Sequence, residues 1–204
     1  MAKTKSNAAK NIIVLFVVAL ISVAILAVLN QVTMEPIAKA EEAARQESYM
    51  KVYSDADEIS DLEGFDAASF VPEDKEANVK INAVLEAKKG GEKIGYVIDA
   101  SSPNGYGGDV QIALGITNEG EITDFTVISA ASETPGLGAK STEEDFQKQF
   151  SGLSALVPVD FSKTGADRSK NEYDAISGAT ITSTAVKQAV NEAIAYYNNN
   201  LKGE

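Results

Sequence analysis

The chain contains no cysteine, no histidine and no tryptophan. Without thiols no disulfide can form. Zinc, iron–sulfur and haem sites ligated by Cys or His are excluded for this chain alone. So are Ser-His-Asp and Cys-His nucleophilic catalysis. What remains is hard-cation binding by carboxylates and the chemistry of hydroxyls and carboxylates. Bases are also scarce: 18 Lys and Arg stand against 30 Asp and Glu, a formal charge of −12. That balance argues against a nucleic-acid partner, which needs a basic face. At 204 residues, 44% of them apolar, the chain has material for one domain with a core.

Charge is absent altogether from residues 12–29, IIVLFVVALISVAILAVL, where Ser22 is the one polar side chain. As a helix these residues span roughly 27 Å, close to the ~30 Å of a bilayer's hydrocarbon core. Lys3, Lys5 and Lys10 precede the run with no acid among them, and the first charge after it is Glu35. The positive-inside rule then places residues 1–11 in the cytoplasm and the chain from residue 31 onward outside. A cleaved signal peptide is the competing reading. The run is longer than a usual h-region, and the small-x-small site Ala38-Lys39-Ala40 lies too far beyond it. An uncleaved single-pass signal anchor is therefore expected. The outer part carries 15 bases and 30 acids, net −15, because the first 30 residues hold three Lys and no acid. Such a domain is soluble and is not drawn flat onto an anionic membrane.

Pro36 sits where a helix can begin, and residues 37–53 have helix-forming composition, with Ile37, Ala40, Ala44, Met50 and Tyr53 near helical spacing. This predicts a stalk helix continuing from the anchor. Residues 54–77, acidic and turn-rich, read as an irregular connection, so that 30–77 form stalk and connection and 78–204 the main domain. Strands are expected at 78–87 and 93–100 around a turn at 88–92, and at 110–117 and 121–130 around Asn118-Glu119-Gly120. Ser141-Thr142-Glu143-Glu144 has the form of a capping box before a short helix, 143–150. Residues 151–176 read as irregular. A last helix, about 184–198, aligns Val186, Val190, Ala193, Ile194 and Tyr197 on one face. Hairpins followed by helices define an α+β class, antiparallel strands with flanking helices behind one transmembrane helix.

Three stretches concentrate chemistry. Residues 174–183, DAISGATITS, crowd small residues and hydroxyls before the last helix, where free N–H groups and a partial positive charge suit a phosphate. The plain alternative is an N-cap by Thr182 or Ser183. The stretch lacks the spacing and lysine of a nucleotide-triphosphate loop. Residues 133–140, ETPGLGAK, follow a strand. Pro-Gly sets a tight turn and the glycines allow close backbone approach, or the segment is only a connection. Residues 101–109, SSPNGYGGD, read as a mobile glycine-rich loop presenting Tyr106, or as an ordinary surface loop.

Taken together, DxxSGAT followed by TS, ETPGLG, the GYGGD loop and the N-terminal anchor resemble one family across nearly the whole chain. DxxSGAT is similar to the flavinylation motif of FMN-binding domains. The set looks like the G subunit of the Rnf electron transport complex, and also like its relative, the C subunit of the sodium-pumping NADH:quinone oxidoreductase. The resemblance implies FMN attached covalently, by a phosphoester, to Thr180 by a dedicated flavin transferase. Ser177, Gly178, Ala179 and Thr182 would surround the attachment point. Leu137, between Gly136 and Gly138, and Tyr106 are the candidates for walls of the isoalloxazine ring. Glu133, Thr134 and Lys140 are candidates for tuning its potential. Asp174 would belong to the transferase recognition motif. A phosphoester needs only a hydroxyl on the protein, so the missing His and Cys are no obstacle.

The function this implies is electron carriage, outside the cytoplasmic membrane, within an Rnf complex that couples ferredoxin and NAD+ to ion movement. The chain would not be catalytic alone, and its partners would be the other proteins of the complex, the transferase and the membrane. The corresponding quinone-reductase component is the alternative, disfavoured because the chain is short for it. A non-redox, membrane-anchored binding domain and a free-standing extracellular electron-transfer protein stand behind these.

Overall fold

The structure is a computed structural model that describes the backbone of residues 2–203 and the side chains of residues 8–203. Two compact units divide the chain, residues 1–44 and 45–204. Helix α1 spans Ala2–Val52. Its apolar residues Ile12–Leu29 are exposed, and among the described residues it is the one helix long and apolar enough to cross a membrane. Pro36 does not begin a helix, as the sequence suggests, but lies inside α1. One backbone hydrogen bond is necessarily missing there.

The second unit is built on a five-stranded antiparallel meander in the order β1–β2–β3–β4–β5. The strands are β1 (Glu58–Asp61), β2 (Lys80–Lys89), β3 (Glu92–Ser102), β4 (Val110–Thr117) and β5 (Ile122–Ser129). The expected strands are present with shifted ends. The β2–β3 turn narrows to Gly90-Gly91, because Lys89 pairs with Glu92. Gly90 and Gly91 both have positive φ, which a tight hairpin turn requires. Residues 54–77 are less irregular than expected, since β1 pairs along β2 from Glu58↔Lys88 to Asp61↔Leu85.

Both faces of the sheet are covered, so β3 is buried continuously from Gly95 to Ala100 rather than alternately. Helix α3 (Thr180–Tyr196) covers one face. Val186, Val190, Ala193, Ile194 and Tyr197 are buried as their spacing predicts, in one cluster with Tyr96, Ile98, Leu114 and Phe125. Burial of each Val and Ile among them contributes roughly 1.5–3 kcal/mol. The other face meets the end of α1. There Tyr49, Val52 and Tyr53 join Leu85, Ala87, Val97 and Ala113, whereas Met50 faces solvent. Thr123 Oγ1 donates to the Val52 carbonyl at 2.6 Å, satisfying an open acceptor of the helix end.

Asp99 is fully buried in this layer. It accepts from the Tyr49 hydroxyl at 2.7 Å, from Asn82 Nδ2 at 2.7 Å and from Gln111 Nε2 at 2.9 and 2.8 Å. Desolvation raises its pKa above the ordinary carboxylate value, and these hydrogen bonds, with the nearby Arg45 charge, oppose the shift.

Residues 151–176, expected to be irregular, contain a short parallel pair, β6 (Asp160–Ser162) with β7 (Glu172–Asp174). The expected capping box does not form. Residues 138–142 make a 3₁₀ turn, so the Thr142 hydroxyl donates back to the Ala139 carbonyl at 2.8 Å. Helix α2 is only Glu144–Gln147, and its cap residue Glu143 gives no side-chain hydrogen bond.

Candidate flavin site

Two glycine turns face one another above the start of α3. In the first, the Leu137 N–H donates to the Thr134 carbonyl at 3.1 Å. Pro135 supplies the fixed φ, and Gly136 has φ +78°. This is the residue pattern of a type II turn, and it projects Leu137, 42% exposed. In the second, the Ala179 N–H donates to the Ile176 carbonyl at 3.0 Å, with Gly178 again at φ +78°. The turns touch: Leu137 Cδ2 lies 3.1 Å from where a Gly178 Cβ would be.

Helix α3 begins at Thr180, about four residues earlier than its composition suggests. Neither Thr182 nor Ser183 caps it. The cap position is Ala179, which provides no side-chain hydrogen bond. Ser183 instead closes the loop from beneath, its Oγ accepting from the Ile176 N–H at 3.0 Å and donating to the Ala179 carbonyl at 3.0 Å. Tyr173 adds a hydrogen bond from its hydroxyl to the Ser183 carbonyl at 2.9 Å. The first helical hydrogen bond among these residues is Ser183 N–H to Ala179 O. The amides of residues 180–182 are thus the open donors every helix start presents, and no side chain caps them.

Glu133 ties the site together. It is 6% exposed. Its Oε2 accepts from Thr182 Oγ1 at 2.8 Å, and its Oε1 lies 3.4 Å from the Gly107 N–H. Gly138 lets the backbone pass close by, since a Cβ would sit 1.9 Å from Glu133 Oε2 and 2.5 Å from Thr182 Oγ1. The glycines of the 101–109 loop serve packing as well as turning. A Gly107 Cβ would fall 1.8 Å from the Ser132 carbonyl oxygen, so that glycine serves close packing. Asn104 Nδ2 further pins the loop to the Ala77 carbonyl at 2.7 Å and to Gln188 Oε1 at 3.0 Å.

Together these elements enclose a cleft of about 450 Å³, within the ~300–1,000 Å³ usual for ligand sites. It brings together Tyr106, Glu133, Thr134, Leu137, Gly138, Gly178, Ala179, Thr180 and Thr182. Three residues expected at the cofactor, Gly136, Ser177 and Lys140, do not line it, and neither does Asp174, which is expected at the transferase recognition motif instead. Gly136 shapes the turn beneath Leu137, Ser177 is exposed on the second turn and the Lys140 side chain is exposed. Asp174 sits at the end of β7, where Oδ1 accepts from the Ala166 N–H and its own N–H donates to Gln149 Oε1, both at 2.7 Å. Ile181 lines the cleft unanticipated. Its signal was a large apolar residue on the first turn of a helix whose buried face lies elsewhere; it is 51% exposed.

The cleft suits a flavin nucleotide. Thr180 presents an exposed hydroxyl on the cleft. The uncapped helix start favours an anion there, and Tyr106, Leu137 and Ile181 offer apolar surface for a planar ring.

The comparisons agree with this class. The FMN-binding domain family matches residues 105–195, and the RnfG N-terminal region matches residues 1–52. The G subunit of the Na(+)-translocating ferredoxin:NAD(+) oxidoreductase complex of Acetobacterium woodii is 33% identical over 92% of this chain and 90% of the relative. The G subunit of the ion-translocating oxidoreductase complex of Pseudomonas aeruginosa is 27% identical over 98% and 92%. The C subunit of the Na(+)-translocating NADH-quinone reductase from Parabacteroides distasonis superposes with a TM-score of 0.57 at 18% identity, over 78% of this chain and 93% of that one, and shows the same fold. The chain belongs to the G-subunit family of ion-translocating oxidoreductase complexes, with an N-terminal membrane helix and an FMN-binding domain.

Proposed function

We propose that this chain is the G subunit of an ion-translocating ferredoxin:NAD+ oxidoreductase of the Rnf type, and that it carries FMN esterified to Thr180. The observation that carries this is the Thr180 hydroxyl, exposed in the cleft on the first residue of an uncapped helix. A phosphodiester there adds a negative charge where the helix end stabilises it by about 0.3–1 kcal/mol. When bound, FMN supplies one- and two-electron redox chemistry that no side chain of this protein offers. The protein's part is to hold the phosphate at α3, to seat the ring against Tyr106, Leu137 and Ile181, and to fix the floor through Glu133 and Thr182. The chain passes electrons among the other proteins of the complex.

Attachment requires a flavin transferase, and Asp174 belongs to the surface that enzyme reads. Lys3, Lys5 and Lys10 hold the N-terminus in the cytoplasm, so that the flavin domain lies on the outer side. Membership of the quinone-reductase complex is the second reading. Its support is a shared fold at 18% identity, while the RnfG N-terminal match favours the first.

The test is expression of the full chain with a flavin transferase, followed by denaturing gel electrophoresis under ultraviolet light. The wild type should fluoresce as a denatured band and Thr180→Val should be dark. A Thr180→Val band as bright as wild type would contradict the assignment.

A further inference from the structure

A second depression, distinct from the flavin cleft, lies where residues 62–71 cross the end of α3. Its volume is about 300 Å³, and its lining includes Phe65, Asp66, Ser69, Phe70, Val71 and Tyr196. Tyr196 meets Phe65 edge-on, ring centroids 5.6 Å apart at 84°, and meets Phe70 at 6.0 Å and 61°. These rings are half-buried, and Val71 is 69% exposed. The cluster therefore pins the segment to α3 without consuming its apolar surface. Asp66 Oδ1 accepts from the Ala68 N–H at 3.0 Å, and no lysine or arginine lines the depression. The surrounding sequence has one charge sign: residues 55–76 hold nine acids and a single base, Lys75.

Aromatic rings beside a carboxylate on an acidic surface have one natural complement. We propose that this pocket is a docking site for a lysine or arginine side chain on a basic segment of another protein. Ring faces attract a cation within about 6 Å by roughly 0.5–1 kcal/mol when exposed and about 2 when desolvated. The aliphatic stem of the same side chain would cover Val71. Asp66 then pairs with the charged head, and the other acids of residues 55–76 attract the flanking bases and speed encounter. A quaternary ammonium headgroup would meet the same rings. Nine acids in 22 positions favour a multiply charged peptide over a zwitterionic lipid. The proposal does not depend on the flavin reading, because no residue of this pocket lines the flavin cleft.

The test uses the full chain in non-ionic detergent micelles. The probes are a fluorescently labelled lysine- and arginine-rich hexapeptide, its glutamine-substituted counterpart, and glycerophosphocholine. The basic peptide should bind, the glutamine peptide should not, and binding should weaken with salt. Asp66→Asn keeps the acceptor for the Ala68 N–H but removes the charge, and should weaken binding by about 2–5-fold. Tyr196→Leu should weaken it by about 3–10-fold. Glu144→Gln, an exposed acid outside the segment, should leave it within about 2-fold. Circular dichroism of each variant verifies folding, and Asp66→Asn, a surface change, keeps the test valid should Tyr196→Leu unfold. Equal loss from Glu144→Gln and Asp66→Asn would reduce the effect to net charge and overturn the proposal. So would equal binding of both peptides, or binding of glycerophosphocholine without the basic peptide.

Discussion

Gly138→Ala is the sharpest local perturbation of the flavin cleft. The glycine backbone passes so close to Glu133 that a Cβ would lie 1.9 Å from Oε2, 2.5 Å from Thr182 Oγ1 and 2.8 Å from the Glu133 carboxyl carbon. A carboxylate at the end of a free side chain would swing away at little cost. Glu133 is 6% exposed and held by Thr182 at 2.8 Å, so moving it breaks a hydrogen bond to a charged group, worth about 1.5–3 kcal/mol. Forcing a methyl into packed surroundings costs about 1–3 kcal/mol more. The two overlap, and we expect a loss of about 2–4 kcal/mol. At about 2–4 °C per kcal/mol for a domain of this size, the thermal midpoint should fall by about 5–15 °C. The assay is thermal unfolding of the full chain, followed by near-ultraviolet circular dichroism, in wild-type and Glu133→Ala backgrounds. Removing the carboxylate relieves the 1.9 Å contact and frees the Thr182 hydroxyl from its partner, so Gly138→Ala should cost less in the Glu133→Ala background than in the wild type. An equal cost in both backgrounds would refute the reasoning, because the Glu133–Gly138 contact would then not be the source of the strain.

Two further outcomes follow from the same structure. Burial raises the Asp99 pKa in the folded protein, so between its ordinary value and the raised one the folded state holds more proton than the unfolded state. Stability must then fall as pH rises through that window, and the penalty is complete above the folded pKa. Asp99→Asn should lack this slope, visible as urea midpoints of wild type and variant that diverge as pH increases from about 4; parallel curves would contradict it. Asp174→Ala should lower flavin loading in limiting transferase while leaving the thermal midpoint within about 2 °C, since the side chain is exposed and holds one loop amide. Full loading at the wild-type rate would remove Asp174 from the recognition surface.

Much of the fold was legible because its signals are local. The two central hairpins show as apolar runs broken by glycine turns, and α3 shows as a five-residue apolar stripe that is buried where expected. What escaped depends on partners remote in sequence. Strand β1, EISD, has too little apolar pattern to announce itself and exists because β2 offers an open edge. Helix α3 starts early because Ser183 and Tyr173 hold the preceding loop from below, so hydroxyl-rich residues that read as a cap became its first turn. Of the site, Thr180 and the two glycine turns were readable as motifs. The role of Glu133 as a knot between three loops was not, because its contacts with Thr182 and Gly138 depend on tertiary packing. Lys140 lies outside the cleft lining with its side chain exposed, because sequence proximity to the turn does not decide where a side chain points.

The most direct test of the central claim is the intact mass of the full chain purified after co-expression with a flavin transferase, followed by peptide mapping. A single adduct equal to FMN less one water is expected, confined to the peptide containing Thr180 and absent from Thr180→Val. An unmodified mass with non-covalent flavin released on denaturation, or an adduct mapped to another hydroxyl, would contradict it.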